Sequence, residues 1–577
     1  MRKKVMPVIV AVIFVIVVGL IAVGTAVIQR YIPTKDRVDV NAYYKVSQAD
    51  DMAIVLDGEI TGEICKYMEG HAYLTYDFVR EYLNGRFYWD ENENIMRYTT
   101  PTDVISVNAG SNTYVITREE HAENYTIVRV DGKTMYLAVD FVQKYTNIEF
   151  AVYEQPSRLL LTSRWGEVSR GTVKKDTQIR EKGGIKSPIV ADLAKGTKVT
   201  VVEAMEEWSK VSTEDGMIGY LKNKTLGQIQ NETISRAFEE PQFTHQLKNG
   251  RINMVWHQVT NQDTNGQISN VLQNTKGINV VSPTWFYLND NKGNIKSLAS
   301  TKYVNYCHQN GVAVWGLFSN LENPEASSAE VLTHTSTRDY LANQIIAAAI
   351  EYDLDGINLD FEALDASVGD SYVQFIRELS IKCRNNGIVL SVDNYVPTAY
   401  TSFYNRAEQA LFADYVVIMG YDEHYKGSQE GSVASIGWVT EGVENTLKEV
   451  PAEQIILGMP FYTRVWECTP KGDEVSEAEA AAEDYVPYTV DSTAVSMKEA
   501  ENRIAINAAE KVWSEEDGQH YAEYEYQGKT YKIWLEDEKS MELRLQLMRE
   551  KNLAGAAFWK LGLEKNSIWD LVIKYVN

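Results

Sequence analysis

Residues 355–362 read Asp355-Gly-Ile-Asn-Leu-Asp-Phe-Glu362. As a β-strand this octapeptide sets Asn358, Asp360 and Glu362 on one face and Ile357, Leu359 and Phe361 on the other, because successive side chains alternate. A strand enclosed between helices and a core carries apolar residues on both faces. Here one face holds two carboxylates and an amide, and desolvating an unpaired carboxylate is costly. A strand that accepts such a cost marks a place where carboxylates do chemistry.

Outward from this stretch, short apolar runs alternate with helical ones, the pattern of repeated βα units and a parallel sheet. The expected strands are 252–259, 277–285, 312–318, 356–362, 388–394, 415–421, 455–461 and 555–561. Eight of them predict an α/β fold, a (β/α)8 TIM barrel over 249–577, with its active residues at the C-terminal strand ends. The seventh and eighth strands lie about 90 residues apart, far more than a βα unit needs. A small α+β insertion is therefore expected at about 467–534, with Tyr521, Tyr524, Tyr526 and Tyr531 in a strand-like run.

At 577 residues the chain is too long for one core. Met1-Arg-Lys-Lys4 precedes an uncharged apolar run at 5–28, long enough for a transmembrane signal anchor. Its basic flank faces the cytoplasm, so the later domains are expected outside the cell membrane. A cleaved signal peptide, with Ala22-Val-Gly24 as the cleavage site, is the competing reading and would make the protein secreted. A net charge of −24 argues against nucleic acid as a partner. Four scattered cysteines (Cys65, Cys307, Cys383 and Cys468) do not make a disulfide framework or a zinc site, and no metal or other cofactor is expected.

Between 42 and 163 the sequence repeats itself. Tyr73-Leu-Thr-Tyr-Asp-Phe-Val-Arg-Glu-Tyr82 returns as Tyr136-Leu-Ala-Val-Asp-Phe-Val-Gln-Lys-Tyr145. Each copy reads as a short strand leading into an amphipathic helix. The segment resembles the stalk domains named after the N-terminal domain of copper amine oxidases, yet no histidine cluster accompanies it and no copper is inferred. A spacer or protein-contact module is expected. At 171–227 short alternating strands surround Trp208 and Gly219-Tyr-Leu221. This stretch resembles a bacterial Src-homology-3-like domain, a small β-barrel that serves as a spacer or a wall-binding module.

The octapeptide resembles the Asp-Gly-x-Asp-x-Asp-x-Glu signature of glycoside hydrolase family 18. Met419-Gly-Tyr-Asp422 is similar to that family's sixth-strand motif, Ile456-Leu-Gly-Met-Pro-Phe-Tyr462 to its seventh strand, and Ala557-Phe-Trp559 to its eighth. Asn358 departs from the signature at the middle aspartate. Together with Trp534-Leu-Glu-Asp-Glu-Lys-Ser540 it resembles the spore-cortex-lytic and spore-germination N-acetylglucosaminidase branch. The third strand lacks the Ser-x-Gly-Gly element found in many chitinases.

The resemblance implies a substrate-assisted mechanism, in which the 2-acetamido oxygen of the sugar is the nucleophile. Glu362 would be the general acid/base, with a pKa raised by its neighbours and by desolvation. Asp360 would orient the acetamido group, and Tyr421 would donate a hydrogen bond to its oxygen. Asn358 would hydrogen-bond Asp360 from below, and proton sharing between two aspartates would be absent because an amide does not titrate. Asp422 would hold polar groups around the sugar and Trp559 would floor the site. Tyr462, Phe286 and Tyr287 are weaker sugar-contact candidates, and His257 and His424 are expected to be structural. The expected partner is an N-acetylglucosamine-containing polysaccharide, peptidoglycan ahead of chitin. The rivals are a chitinase, a glycan-binding or wall-scaffolding protein that does not turn over, and an adhesion ectodomain.

Overall fold

The computed structural model describes residues 2–471 and 486–576; residues 472–485, inside the expected insertion, lie outside the described residues. The chain divides into two compact units, one made mostly of the residues before 241 and one of Pro241–Asn577 with two short segments from earlier in the chain.

The second unit contains the barrel. Its strands are β1 (Ile252–His257), β2 (Val280–Leu288), β3 (Ala313–Ser319), β4 (Gly356–Asp360), β5 (Val389–Tyr395), β6 (Tyr415–Met419), β7 (Ile455–Pro460) and β8 (Gly555–Trp559). All eight expected strands are present. Each pairs in parallel with the next, and β1 closes the ring against β8. The closure is tight: a Cβ on Gly555 would lie 2.1 Å from the carbonyl oxygen of Ile252, so β8 begins with a glycine.

The two faces of β4 separate as their polarity requires. Ile357, Leu359 and Phe361 enter the large apolar core between strands and helices. The other face turns into the barrel, whose floor is an apolar plug that includes Met254, Trp256, Trp315, Tyr415 and Val417. The helix Gly369–Asn385 packs on β5 and puts Phe375, Ile376 and Leu379 into the same core as Ile357 and Leu359. It carries Lys382 and Arg384 in its last turn, where cations oppose the helix dipole, and Gly387 follows at φ 68°. β4 ends at Asp360, two residues before the expected strand end, so Glu362 stands in the loop above the sheet.

Directly after β7 the chain enters a five-stranded antiparallel sheet. Its strand order is 488–496, 462–470, 529–535, 519–526, 512–514, with the helix Met497–Ile506 packed on it. The sheet starts at Tyr462, a few residues before the expected insertion boundary.

In the first unit the two copies of the repeat form matching pieces. His71–Thr75 and Thr134–Ala138 are strands that each run into a helix, and they pair antiparallel with Leu74 opposite Leu137. They are part of a seven-stranded sheet, and a separate five-stranded sheet spans 87–122. Residues 166–234 form another seven-stranded sheet around a core of Val173, Ile179, Val199, Val211 and Leu221. A helix spans Arg2–Tyr31, and its stretch Met6–Tyr31 is long and apolar enough to cross a membrane. All four cysteines are buried free thiols.

Candidate active site

Glu362 is placed by its backbone. Asn320, in the loop after β3, accepts the Glu362 N–H with Oδ1 at 2.9 Å and donates Nδ2 to the Glu362 carbonyl at 2.9 Å. Ala363 follows at φ 52°, and its N–H is bonded to the Tyr395 hydroxyl at 3.2 Å. The side chain is thereby left half-buried at the barrel mouth. Burial pushes the Glu362 carboxyl above the ordinary glutamate range; a hydrogen bond from Tyr395 pulls against this, and Asp422 and Glu322 push further up.

Below it, Asn358 is fully buried and fully bonded. Its Oδ1 accepts from Trp256 Nε1 at 2.8 Å and from Ser282 Oγ at 3.0 Å, and its Nδ2 donates to Ser391 Oγ at 3.1 Å and to Asp393 at 2.6 Å. The expected bond from Asn358 to Asp360 is not formed. The reason is register: Asn358 lies opposite Ser391, so its amide reaches across to β5 and not up its own strand. Asp360 instead sits among acids. Burial, then Asp393, Glu362 and Glu322, raise its carboxyl well above the usual range, and its Oδ1 is buried without a hydrogen-bond partner. β5 supplies a second buried aspartate, Asp393, beside Asp360.

A cavity of about 170 Å³ opens above these groups, lined by Trp256, Asp360, Glu362, Asp393, Tyr395, Met419, Tyr421, Asp422 and Trp559. Tyr421 stands edge-on to Trp256, with ring centres 6.3 Å apart. Trp559 meets the same indole at 5.9 Å. Asp422 has φ 62°, accepts the Tyr462 hydroxyl at 2.5 Å and lies 3.8 Å from Arg464. Tyr462 therefore acts behind Asp422 and does not line the cavity.

Phe286 and Tyr287 are not brought to the site. Phe286 is buried against Trp285 and Tyr352 on the helix side of β2, and Tyr287 pairs with Lys296 in a hairpin. Both positions stay paired with β3, opposite Phe318 and Ser319, but neither lines the cavity. His257 is stacked on Tyr303 and bonded to its hydroxyl at 2.9 Å; burial, with help from Lys560, holds its pKa down to about 4. It is a neutral structural histidine. His424 bonds the Gln429 carbonyl in its own loop.

Sequence reasoning did not single out Asn320, Asp393 or Tyr395. Asp393 alternates with Ser391 and Tyr395 along β5, a polar inward face like that of β4, and that alternation is the signal that marks it.

Known proteins resemble parts of this chain. Residues 322–564 match the glycosyl hydrolases family 18, and residues 175–227 match the bacterial SH3 domain. The chain is 24% identical over 309 residues to the uncharacterized glycosylase YvbX of Bacillus subtilis (strain 168), covering 52% of this chain and 84% of that one. It is 26% identical over 275 residues to the cortical fragment-lytic enzyme of the same organism, covering 45% of this chain and 59% of that one. Among solved structures, the C-terminal domain of a protein named as a chitinase in Desulfitobacterium hafniense DCB-2 superposes with a TM-score of 0.51 at 19% identity, over 57% of this chain and all of that one. That likeness is one of fold. The barrel is a glycosyl hydrolase family 18 domain, a glycosidase, carried in one chain with a bacterial SH3 domain.

Proposed function

We propose that this chain is a retaining, substrate-assisted glycoside hydrolase that cleaves β-1,4 linkages next to N-acetylglucosamine in cell-wall peptidoglycan. The observation that carries the reading is the arrangement in one cavity of a raised-pKa Glu362, an Asp360 with an unpartnered buried oxygen, and Tyr421. The Glu362 carboxyl gives its proton to the glycosidic oxygen as the bond from that oxygen to C1 breaks. The acetamido oxygen of the same sugar bonds to C1, leaving a positively charged oxazolinium and an aglycone alcohol. Asp360 accepts the acetamido N–H and balances the new charge, while Tyr421 donates to the acetamido oxygen. Water then attacks C1 and its proton passes to the Glu362 carboxylate, restoring the acid as the acetamido bond to C1 breaks. Two inversions at C1 retain configuration. Trp559 supplies an aromatic face for the sugar ring, and Asp422, held by Tyr462, bonds sugar hydroxyls.

Peptidoglycan is preferred as substrate because of the similarity to a cortical fragment-lytic enzyme and because an SH3 domain shares the chain. The apolar helix would anchor the chain in the cell membrane with the other domains outside, raising the local concentration of the barrel at the wall. The test incubates the full chain, in detergent, with purified peptidoglycan and with chitin, and sequences released fragments by mass spectrometry. New N-acetylglucosamine reducing ends from peptidoglycan support the reading. Release from chitin alone moves the substrate, and binding without release from either favours a non-catalytic wall scaffold.

A further inference from the structure

We propose that Asp393 is the positioning partner of Asp360: the two carboxyls face each other across β4 and β5, share one proton above Asn358, and pass it between them during the reaction. The inference rests on the glycosidase reading above and extends it to a residue outside the β4 octapeptide. In the β4–β5 register, Leu359 lies opposite Val392. The next pair along is Asp360 and Asp393, both turned into the barrel on strands about 5 Å apart.

Asn358 sets the direction of this pair. Trp256 Nε1 can only donate, so Asn358 Oδ1 must face it and the amide nitrogen must face β5. That nitrogen donates to Asp393 Oδ1, occupying one oxygen and holding the carboxyl in place. Asp360 Oδ1 has no partner although it is buried. A buried carboxylate oxygen left bare is costly, and a proton shared with the neighbouring carboxyl removes most of that cost. Burial raises both groups well above the aspartate range, and each is raised further by surrounding acids. The titratable groups facing the pair are Glu322, Glu362, Tyr372, Tyr404 and Tyr421, all acids.

With the site empty of sugar the pair carries one proton and one negative charge. When the acetamido N–H is presented to Asp360, the proton passes from the Asp360 carboxyl oxygen to the Asp393 carboxyl oxygen. The pair stays at one negative charge, now localised on Asp360 beside the developing oxazolinium. The asparagine at 358, which cannot take a proton, is thereby compensated from the neighbouring strand.

The test compares the full chain with Asp393→Asn and with the swapped double variant Asn358→Asp/Asp393→Asn. For Asp393→Asn we expect kcat to fall about 100-fold with KM within about 3-fold, and the acidic limb of the pH–kcat profile to move. The swap should recover at least about 10-fold of that loss, because it puts a titrating group back below Asp360. A folded-state pKa raised above the unfolded value near 3.9 subtracts stability as pH climbs above that value. Asp393→Asn should therefore melt higher than the wild type at pH 7, the two curves converging below about pH 4. A merely structural Asp393 predicts a lower melting temperature and an unmoved pH profile. An unchanged kcat and pH profile in Asp393→Asn overturns the proposal, as does a folded swap no more active than the single variant. Where neither variant folds, carbon-detected NMR of aspartate-labelled wild type decides: two aspartate carboxyls titrating together support the pair, and independent titration overturns it. A wild type inactive on both polymers defeats the glycosidase reading, while the melting curves and the NMR titration still judge the carboxyl pair.

Discussion

Asn320 grips Glu362 on both sides of its peptide, accepting from its N–H and donating to its carbonyl, each at 2.9 Å. The contact links the end of β3 to the residue just beyond β4, so the proposed acid is aimed by a neighbouring loop and not by its own strand. Asn320→Ala should lower kcat about 10- to 100-fold with little change in KM, since misplacing a catalytic group affects the reacting geometry more than binding. Steady-state kinetics on a soluble N-acetylglucosamine oligomer would measure it, and an unchanged kcat would remove Asn320 from the positioning machinery.

Glu362→Gln should abolish proton donation while keeping the shape of the side chain. Activity is expected to drop by about 10²- to 10⁴-fold. Because the folded-state pKa is raised, the charge on Glu362 costs stability as pH rises above the unfolded value near 4.3, so the variant should melt higher than the wild type at pH 7. Full activity in this variant would refute the mechanism.

Tyr395→Phe tests the direction of the Glu362 shift. The phenol hydrogen bond favours the carboxylate and lowers the pKa, against the larger effect of burial. Removing it should move the basic limb of the pH–kcat profile to higher pH, because Glu362 then stays protonated longer. A shift to lower pH would show that Tyr395 acts by some other route.

Arg544 and Glu536 form a pair buried to within 1% in the barrel domain, at 2.7 Å, and Arg544 also donates to the Ala434 carbonyl. Arg544→Met leaves the buried Glu536 with only Gln519 and Ser540 as donors and no counter-charge, and should cost about 3–5 kcal/mol. Adding Glu536→Leu should restore most of that loss, as replacing a whole buried pair by apolar groups is often nearly neutral. Urea titrations of the three variants and the wild type would read these values; a double variant no better than Arg544→Met would mean the pair also fixes the loop at Ala434.

The eight strands were legible because burial on both faces leaves an apolar run in the sequence, and the polar exception at 355–362 was legible because its period of two is written in consecutive residues. Glu362, Asp360, Tyr421, Asp422 and Trp559 converge on one cavity because strand ends of a closed barrel must meet. Phe286 and Tyr287 were misplaced because aromatic character alone does not say which side of a strand faces the mouth. Both stay in the sheet against β3, yet neither side chain lines the cavity.

Local alternation and the order of motifs thus determined the barrel and pointed to Glu362 as the proposed acid, with Asp360 on the same face of its strand, from the sequence by itself. The tertiary structure alone decided what Asn358 touches. Its partners Trp256, Ser282, Ser391 and Asp393 come from three other strands, brought into line by a register that ring closure imposes. Such contacts span many tens of residues, and no periodicity in the chain encodes them. The asparagine that breaks the signature is therefore understood only with Asp393 beside it, the carboxyl to which its amide donates.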